Sequence, residues 1–530
     1  MADLATVVNL WWTLLLLHVC MHSVVVRAEI LRLPLHTAVR RVNDGVRSRV
    51  GERSHNVLRR SAPRDNIGGK PGLGFYVEIE LGTPKQKLNV LVDTGSSNFA
   101  VAASPNSLIT KYFHKDQSQT YRDLNRKVYV PYTQGEWRGE LGEDVATIPT
   151  SHPNISVTVN VVSITYSEEF FLNESNWQGI LGLAYADIAR PDDTVEPFFA
   201  SLVDQTDVAN IFTLQLCGVP ENVVHTGTTD VTGTMTIGGI DPGLYTGKMW
   251  YTPIRNDWYY EVIIMDIEVG DQSLGMDCKE YNFDKTIVDS GTTNLRLPAR
   301  VFDKLTSLIY TALTKKMENV TIPTDFWSGA DMICKEGTVE EPWVKFPTLS
   351  IILNGTEPGT GFRLRISPKQ YLRHVETSNK KETCYKFGVA SSDSGSVIGA
   401  VVMEGFYVVF DRENQTVGFA KSSCAYEFEF ATPAPEVEGP IREVATDCGY
   451  VAPDNNNLAL TIAAYVLAGL CVLCLTPLAF LYVYYRCRLC FANTTKNDDS
   501  ELLEDRTDSS ETDALREEAQ QGEPQQGQDS

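Results

Sequence analysis

The sequence predicts an all-β protein of two related lobes followed by one transmembrane helix, and three observations carry that prediction. An Asp-hydroxyl-Gly motif occurs twice, as Leu91-Val92-Asp93-Thr94-Gly95-Ser96-Ser97 and as Ile287-Val288-Asp289-Ser290-Gly291-Thr292-Thr293. Around both copies, short runs of alternating apolar and polar residues are separated by turn residues, the pattern of antiparallel strands. Near the end, Leu458 to Tyr485 is a run of 28 residues without a charge, more than the roughly 20 needed to cross a bilayer.

Taken in order, residues 1–28 read as a secretory signal. Val7 to Val26 is apolar apart from Asn9, Thr13, two histidines and Ser23, and Arg27-Ala28 offers a cut. Its leading end carries Asp3 and no Lys or Arg, which leaves an uncleaved anchor open. Residues 29–64 hold nine arginines against three acids and show little periodicity beyond Ile30 to Leu35. They read either as a disordered basic arm or as a pro-segment, with Arg59-Arg60 and Arg64 as processing sites. The first lobe is expected over 65–230, with strands at Phe75–Ile79, Leu88–Asp93, Lys127–Pro131 and Val157–Ile164. The second is expected over 231–426, through Met235–Gly238, Tyr260–Ile267 and Phe406–Phe410. Helical patterns are short, as at Glu196–Gln205 and Ala299–Lys315. Residues 427–457, rich in Glu, Pro and Asn, read as a stalk, 458–485 as the transmembrane helix and 486–530 as a polar, acidic, disordered tail. Asp454 precedes the span while Arg486 and Arg488 follow it, which places the tail in the cytoplasm.

Composition limits the function. The 530 residues are 43% hydrophobic and carry a net charge of -22, a sign that nucleic-acid phosphates would repel. Of eleven cysteines, six (Cys217, Cys278, Cys334, Cys384, Cys424, Cys448) fall in the region read as lumenal. That is a disulfide count, compatible with fifteen pairings. No C-x-x-C pair or His partner in that region suggests zinc, and the eight histidines show no ligand spacing. Neither a metal nor another cofactor is called for, and no feature specifies an oligomeric state.

A single Asp-hydroxyl-Gly triplet is ordinary turn chemistry. Two copies, each led in by β-branched residues and followed by paired hydroxyls, read instead as two lobes giving one carboxylate apiece to a shared site. Two carboxylates held close lose their protons in separate steps. Over the interval between, one can take a proton from water while the other donates to a carbonyl oxygen. Gly95 and Gly291 let backbone approach the carboxylates, and Ser96 and Thr292 are the hydroxyls expected on their outer oxygens.

The duplicated motif resembles that of the pepsin-type aspartic proteases. The flanking text is similar to their membrane-anchored branch, the β-secretases or memapsins, at Asp93–Ala100, Gly179–Tyr185, Trp258–Val262, Ile287–Pro298 and Met403–Asp411. The resemblance runs from about Gly74 to Tyr450. It implies the bilobal pepsin-like fold, a zymogen whose arginines cover an acidic cleft, and pairings Cys217–Cys424, Cys278–Cys448 and Cys334–Cys384. It implies that Val130 to Gly135 is a flap, with Tyr132, Thr133 and Gln134 near its tip. Pepsins carry Trp where this chain has Ala100, so Trp137 is the expected substitute partner of Tyr132. Ile180-Leu181-Gly182 and Val397-Ile398-Gly399 match the segments that pass beneath each catalytic loop. Leu91, Phe170, Trp177 and Tyr259 are cleft candidates that could equally be core. Thr293, which closes the second motif, and Asn294 after it are substrate-binding candidates, and Arg296 either lines the cleft and favours acidic substrate groups or is simply solvated.

The resemblance further implies amyloid-precursor-like type I membrane proteins as substrates, and Golgi, endosome and cell surface as locations. Asp498 to Leu503 resembles an acidic dileucine signal, so Leu502 and Leu503 are candidates for endocytic sorting machinery. Cys487 and Cys490 are placed for palmitoylation. Asn154, Asn173, Asn319, Asn354 and Asn414 are glycosylation candidates. Two rivals stand beside the membrane-anchored protease. A catalytically inactive receptor of the same fold is opposed by the intact motifs, and a soluble secreted or lysosomal enzyme by the apolar span.

Overall fold

Two copies of one strand crossing hold the two motifs. The computed structural model describes residues 30–37, 74–132, 135–149, 155–171, 176–217, 231–316, 322–336, 345–375, 382–424, 434–442, 444–450 and 458–497. They fall into two units, Met1–Val451 and Ala452–Ser530. In the first unit the opening strands are β1 (Leu31–Thr37), β2 (Phe75–Leu81), β3 (Gln86–Asp93), β4 (Phe99–Ala102), β5 (Arg122–Pro131), β6 (Glu136–Ile148), β7 (Ile155–Glu168), β8 (Gly179–Gly182), β9 (Ile211–Leu216) and β10 (Val231–Ile237).

β3 ends on Asp93 and runs parallel to β8. β8 is antiparallel to β4, and β4 is parallel to β7. The second lobe repeats this arrangement: Thr286–Val288 runs parallel to Ser396–Ile398, which is antiparallel to Leu295–Pro298, itself parallel to Val389–Ser392. All-apolar runs such as Leu91-Val92 and Ile287-Val288 suit strands covered on both faces. Val90, Val92, Leu181, Val288 and Ile398 are buried in the main core accordingly.

The lobes are not separate sheets. A 13-stranded sheet runs from Tyr245–Pro253, Thr416–Ser422 and Phe406–Asp411 through β9, β10, β1, β2, β3, β8, β4, β7 and β6 to β5. The second-lobe strand Phe406–Asp411 thus pairs directly with β9. The amphipathic helix Ala299–Lys316 buries Val301, Leu305, Ile309 and Leu313, at four-residue spacing, in the second lobe. Disulfides join Cys217–Cys424, Cys278–Cys448 and Cys334–Cys384.

Three details go beyond those expectations. Within the expected pro-segment 29–64, Leu31–Thr37 is a sheet strand with Leu31, Leu33 and Leu35 buried. Within the expected stalk 427–457, Glu436–Arg442 pairs with Thr360–Ile366. Glu438 there accepts from Arg363 at 2.9 Å and from Arg365 Nε at 3.0 Å, so charge pairing holds a strand that lacks apolar alternation. The stretch Tyr260–Ile267 is regular strand only from Ile264. Before it, buried Glu261 accepts from Arg255 (3.1 Å), Asn256 (2.9 Å) and Trp258 (2.7 Å).

In the second unit one helix, Leu458–Asn497, includes Tyr465–Arg486, which is long and apolar enough to cross a membrane. It runs past the expected limit of 485 because no Gly or Pro interrupts residues 486–497. Pro477 lies inside it and cannot donate to the Leu473 carbonyl. Thr476 Oγ1 donates to that oxygen instead, at 3.4 Å. The expected signal 1–28 and Leu502 and Leu503 lie outside the described residues.

Candidate active site

Each Asp sits where a strand gives way to a tight loop, and the loop's own donors take its oxygens. Gly95 N–H donates to Asp93 Oδ1 and Gly291 N–H to Asp289 Oδ1, both at 2.8 Å. Ser96 Oγ donates to Asp93 Oδ2, and Thr292 Oγ1 to Asp289 Oδ2 at 2.7 Å. Beneath the loops, Leu183 N–H donates to the Asp93 carbonyl at 2.8 Å, and Asp289 N–H to the Ile398 carbonyl at 3.1 Å. Gly182 and Gly399 leave no room for a Cβ. One at Gly182 would lie 2.5 Å from the Ser97 carbonyl carbon, and one at Gly399 would lie 2.4 Å from Asn294 O.

Next to the carboxylates the lobes lock reciprocally. Thr94 N–H donates to Ser290 Oγ (3.1 Å) and Ser290 N–H to Thr94 Oγ1 (2.9 Å). Each hydroxyl then donates across to the other lobe's strand, Thr94 Oγ1 to Val288 O (2.9 Å) and Ser290 Oγ to Val92 O (2.8 Å). Four bonds between buried groups thus fix one loop against the other. A Cβ at Gly95 would lie 2.4 Å from the Asp289 carboxyl carbon, and one at Gly291 would lie 2.3 Å from Asp93 Oδ1. Both carboxyls are nearly buried, at 5% and 8% exposure. Burial, and behind it the negative charge of Asp289, pushes Asp93 well above the usual carboxylate range.

Over the first loop lies the β5–β6 hairpin. Tyr132 N–H donates to Gly135 O at 3.0 Å to close its turn. Trp137 Nε1 donates to the Tyr132 hydroxyl at 3.1 Å. Burial and then the charge of Asp93 raise the Tyr132 phenol, which places that ring in the field of the site. Its ring stacks on Phe170 (5.7 Å), and Phe170 meets Trp177 edge-on (5.4 Å). Leu91 joins the same cluster, so these candidates form the buried packing under the hairpin. Thr133 and Gln134 lie outside the described residues.

On the other side, half-buried Tyr259 has its phenol raised by burial and then by Asp289. Thr293 O accepts from Val401 N–H at 2.9 Å. Asn294 is 5% exposed and its Oδ1 accepts from Arg373 at 2.9 Å, a bond that braces the loop. Arg296, half-exposed, reaches only the Ser391 carbonyl at 3.5 Å among the described residues. No group of His, Cys, Asp and Glu suited to a metal occurs among them either. Asn354 is half-buried, and Asn414 is exposed with its Nδ2 donating to Asp411. Asn154, Asn173 and Asn319 lie outside the described residues. Sequence reasoning placed Thr94 and Ser290 in the site but missed the reciprocal lock. Their matching positions in the two motifs were the available signal.

Residues 74–422 match the eukaryotic aspartyl protease family model. The chain belongs to that family. A beta-secretase of Strongylocentrotus purpuratus is 52% identical to this protease over 432 residues, covering 78% of this chain and 79% of the relative. Gastricsin of Oryctolagus cuniculus is 27% identical, covering 65% and 81%, and pepsin A of Gallus gallus is 26% identical, covering 70% and 90%. The protease is therefore a β-secretase-like, pepsin-type aspartic endopeptidase.

Proposed function

We propose that the endopeptidase is membrane-anchored and that Asp93 and Asp289 activate the attacking water between them. The ionised member of the pair takes a proton from water, and the hydroxyl attacks the scissile carbonyl carbon. The neutral member donates its proton to the carbonyl oxygen, so the pair carries one proton before and after. The observation that supports this most directly is the mutual approach of the loops, in which each motif glycine abuts the other lobe's carboxyl. Tyr132, the apolar cluster beneath it and Tyr259 shape the cleft, and Arg296 favours acidic or polar side chains.

The helix Leu458–Asn497 acts as a single-pass anchor, with the C-terminus cytoplasmic and the first unit lumenal. Tethering raises the effective concentration of substrates in the same membrane. The substrates are ectodomains of type I membrane proteins of the amyloid-precursor-like class. The compartments are Golgi, endosome and cell surface, with Leu502 and Leu503 engaging endocytic sorting machinery. Residues 1–28 are a signal and 29–64 a pro-segment cut at Arg59-Arg60 or Arg64. Peptide hydrolysis at mildly acidic pH, with Asp93→Asn and Asp289→Asn beside the wild type, tests the chemistry. Hydrolysis by the wild type alone is expected, and equal rates in all three would leave only a binding protein.

A further inference from the structure

Glu261 is a buried carboxylate, 1% exposed, that the water-activating pair does not use. It lies on Tyr260–Val262, which runs beside the strand Thr286–Val288 that leads to Asp289. Val262 N–H donates to Thr286 O (2.9 Å) and Val288 N–H to Tyr260 O (3.1 Å), while Glu261 pairs with Ile287 in an antiparallel bridge. The Glu261 carboxylate accepts from Arg255, Asn256 and Trp258, so residues 255–261 fold back onto one charge. Arg255 N–H closes that loop on Glu261 O at 2.9 Å.

The loop carries Tyr259 and is tied to both motifs. Glu261 N–H donates to Tyr259 O at 2.8 Å, and the Trp258 ring meets the Tyr259 ring edge-on at 5.0 Å. Trp258 O accepts from Tyr185 N–H of the first lobe (3.2 Å), and Tyr185 O accepts from Ser97 Oγ (2.5 Å), the last residue of the first motif. Arg255 reaches the other way. Its Nη1 holds Glu261 at 3.1 Å, and its Nη2 donates to Tyr450 O at 2.7 Å. Tyr450 ends the segment Cys448–Tyr450, which is pinned by the Cys278–Cys448 disulfide, by Asn282 Nδ2 donating to Cys448 O (3.0 Å), and by Phe283 against the Tyr450 ring (5.0 Å). Gly449 lies against the guanidinium, where a Cβ would come 3.2 Å from Nη2. The planar guanidinium carries donors on separate nitrogens, so one side chain serves both acceptors.

We propose that Arg255 and Glu261 are positioning residues of the protease, which carry the fixed placement of Cys448–Tyr450 to the 255–261 loop and so hold Tyr259 at the substrate. The inference rests on the reading of Tyr259 as a wall of the cleft. Without Arg255, Glu261 is a buried charge short of its cation, and the loop must shift to bring it to water. Tyr259 moves with the loop, because Glu261 N–H holds its carbonyl. The carboxyls of Asp93 and Asp289 keep their own donors from the motif loops, so substrate is held less well while proton transfer is unchanged.

The test assays the full-length protein in detergent on a peptide at mildly acidic pH, with the folded fraction of each variant taken from denaturant unfolding. Arg255→Gln should raise KM about tenfold while kcat per folded molecule stays within about twofold, the pattern of lost binding that ground and transition states share. Arg255→Lys keeps a cation on Glu261 but cannot span both acceptors, and should raise KM only about threefold. Tyr259→Ala, run beside them, should raise KM at least as far as Arg255→Gln. A wild-type KM in Arg255→Gln overturns the inference, since a merely structural role lowers the folded fraction and leaves KM alone. Should Arg255→Gln not fold, a wild-type KM in Arg255→Lys overturns it equally. If Tyr259→Ala raises KM and the Arg255 variants do not, the cleft reading stands and the positioning role fails. If Tyr259→Ala leaves KM unchanged, the cleft reading itself fails.

Discussion

The two lobes build their acidic loops identically and cover them differently. In both, the Asp leaves a strand that runs parallel to an apolar-apolar-Gly segment, and that segment is crossed antiparallel by the strand after the motif. In both, a glycine N–H takes the inner oxygen and a hydroxyl the outer one. The first lobe then lays the β5–β6 hairpin and an aromatic cluster over its loop. The second lobe braces its loop with Arg373 on Asn294 and leaves Arg296 half-exposed nearby. Two of the three disulfides, Cys278–Cys448 and Cys334–Cys384, also lie in the second lobe and the segment after it. Proton sharing needs two equivalent groups, so the repeat survives at the carboxylates. Substrate selection needs no such symmetry, and there the copies diverge.

The largest break should come at the shared proton. Asp93→Asn and Asp289→Asn should each lower kcat by roughly 10³-fold or more, measured on a peptide at mildly acidic pH. Wild-type activity should fall about tenfold per pH unit once pH rises through the pKa of Asp93, because the pair then loses the proton it must donate. The same shift has a stability sign. A carboxyl raised in the folded state contributes stability that is complete below its unfolded pKa and is lost as pH rises through the folded value. Asp93→Asn, a permanent mimic of the neutral acid, should therefore melt higher than wild type at pH 7, with the gap closing toward pH 3. A lower Tm at pH 7 would contradict the burial argument.

Next comes the lock between the loops. Thr94→Ala and Ser290→Ala each strand a buried N–H of the opposite lobe and a buried carbonyl. At about 1–3 kcal/mol for each unsatisfied group, each variant should lose about 2–4 kcal/mol in denaturant unfolding. Because the bonds are reciprocal, the two losses should agree within about 1 kcal/mol, and the double variant should cost less than the sum. A large inequality would show that one lobe, and not the pair, sets the alignment.

Why this lock was hidden in the sequence, while the loops were plain, has a physical answer. Asp, hydroxyl and Gly at fixed spacing specify a local turn and its donors, so Ser96 and Thr292 could be assigned from position alone. Which atom meets which across 196 residues depends on how the lobes dock. β1 was obscured for a different reason: Pro34 argues against an interior strand. Pro34 sits opposite Thr234, where β2 does not reach, so its missing N–H is tolerated. Glu436–Arg442 holds by charge to Arg363 and Arg365, and partners brought in by the tertiary fold leave no periodic trace. The far end of the helix ran past the expected limit because arginines mark a bilayer boundary, not a helix terminus.

A smaller effect, confined to the first lobe, should follow Trp137→Phe. It removes the donor to Tyr132 and, because Trp137 is fully buried, also leaves core volume unfilled. A bond of this kind is worth about 1 kcal/mol, so kcat/KM should fall roughly fivefold, accompanied by a lower melting temperature from the looser packing.

The smallest expected change is one of preference, and it lies in the second lobe. Arg296 holds only a 3.5 Å bond to Ser391 O among the described residues, so little structure depends on it. Arg296→Leu should leave kcat on an apolar peptide within about twofold while lowering kcat/KM for an acidic one about tenfold, or ~1.4 kcal/mol. Matched peptides that differ by one Glu-to-Leu exchange at each position in turn would locate the effect. A loss spread evenly over all peptides would mean that Arg296 braces the loop as Arg373 does. Selectivity would then rest with the flap side alone, and the division of labour between the lobes would have to be redrawn.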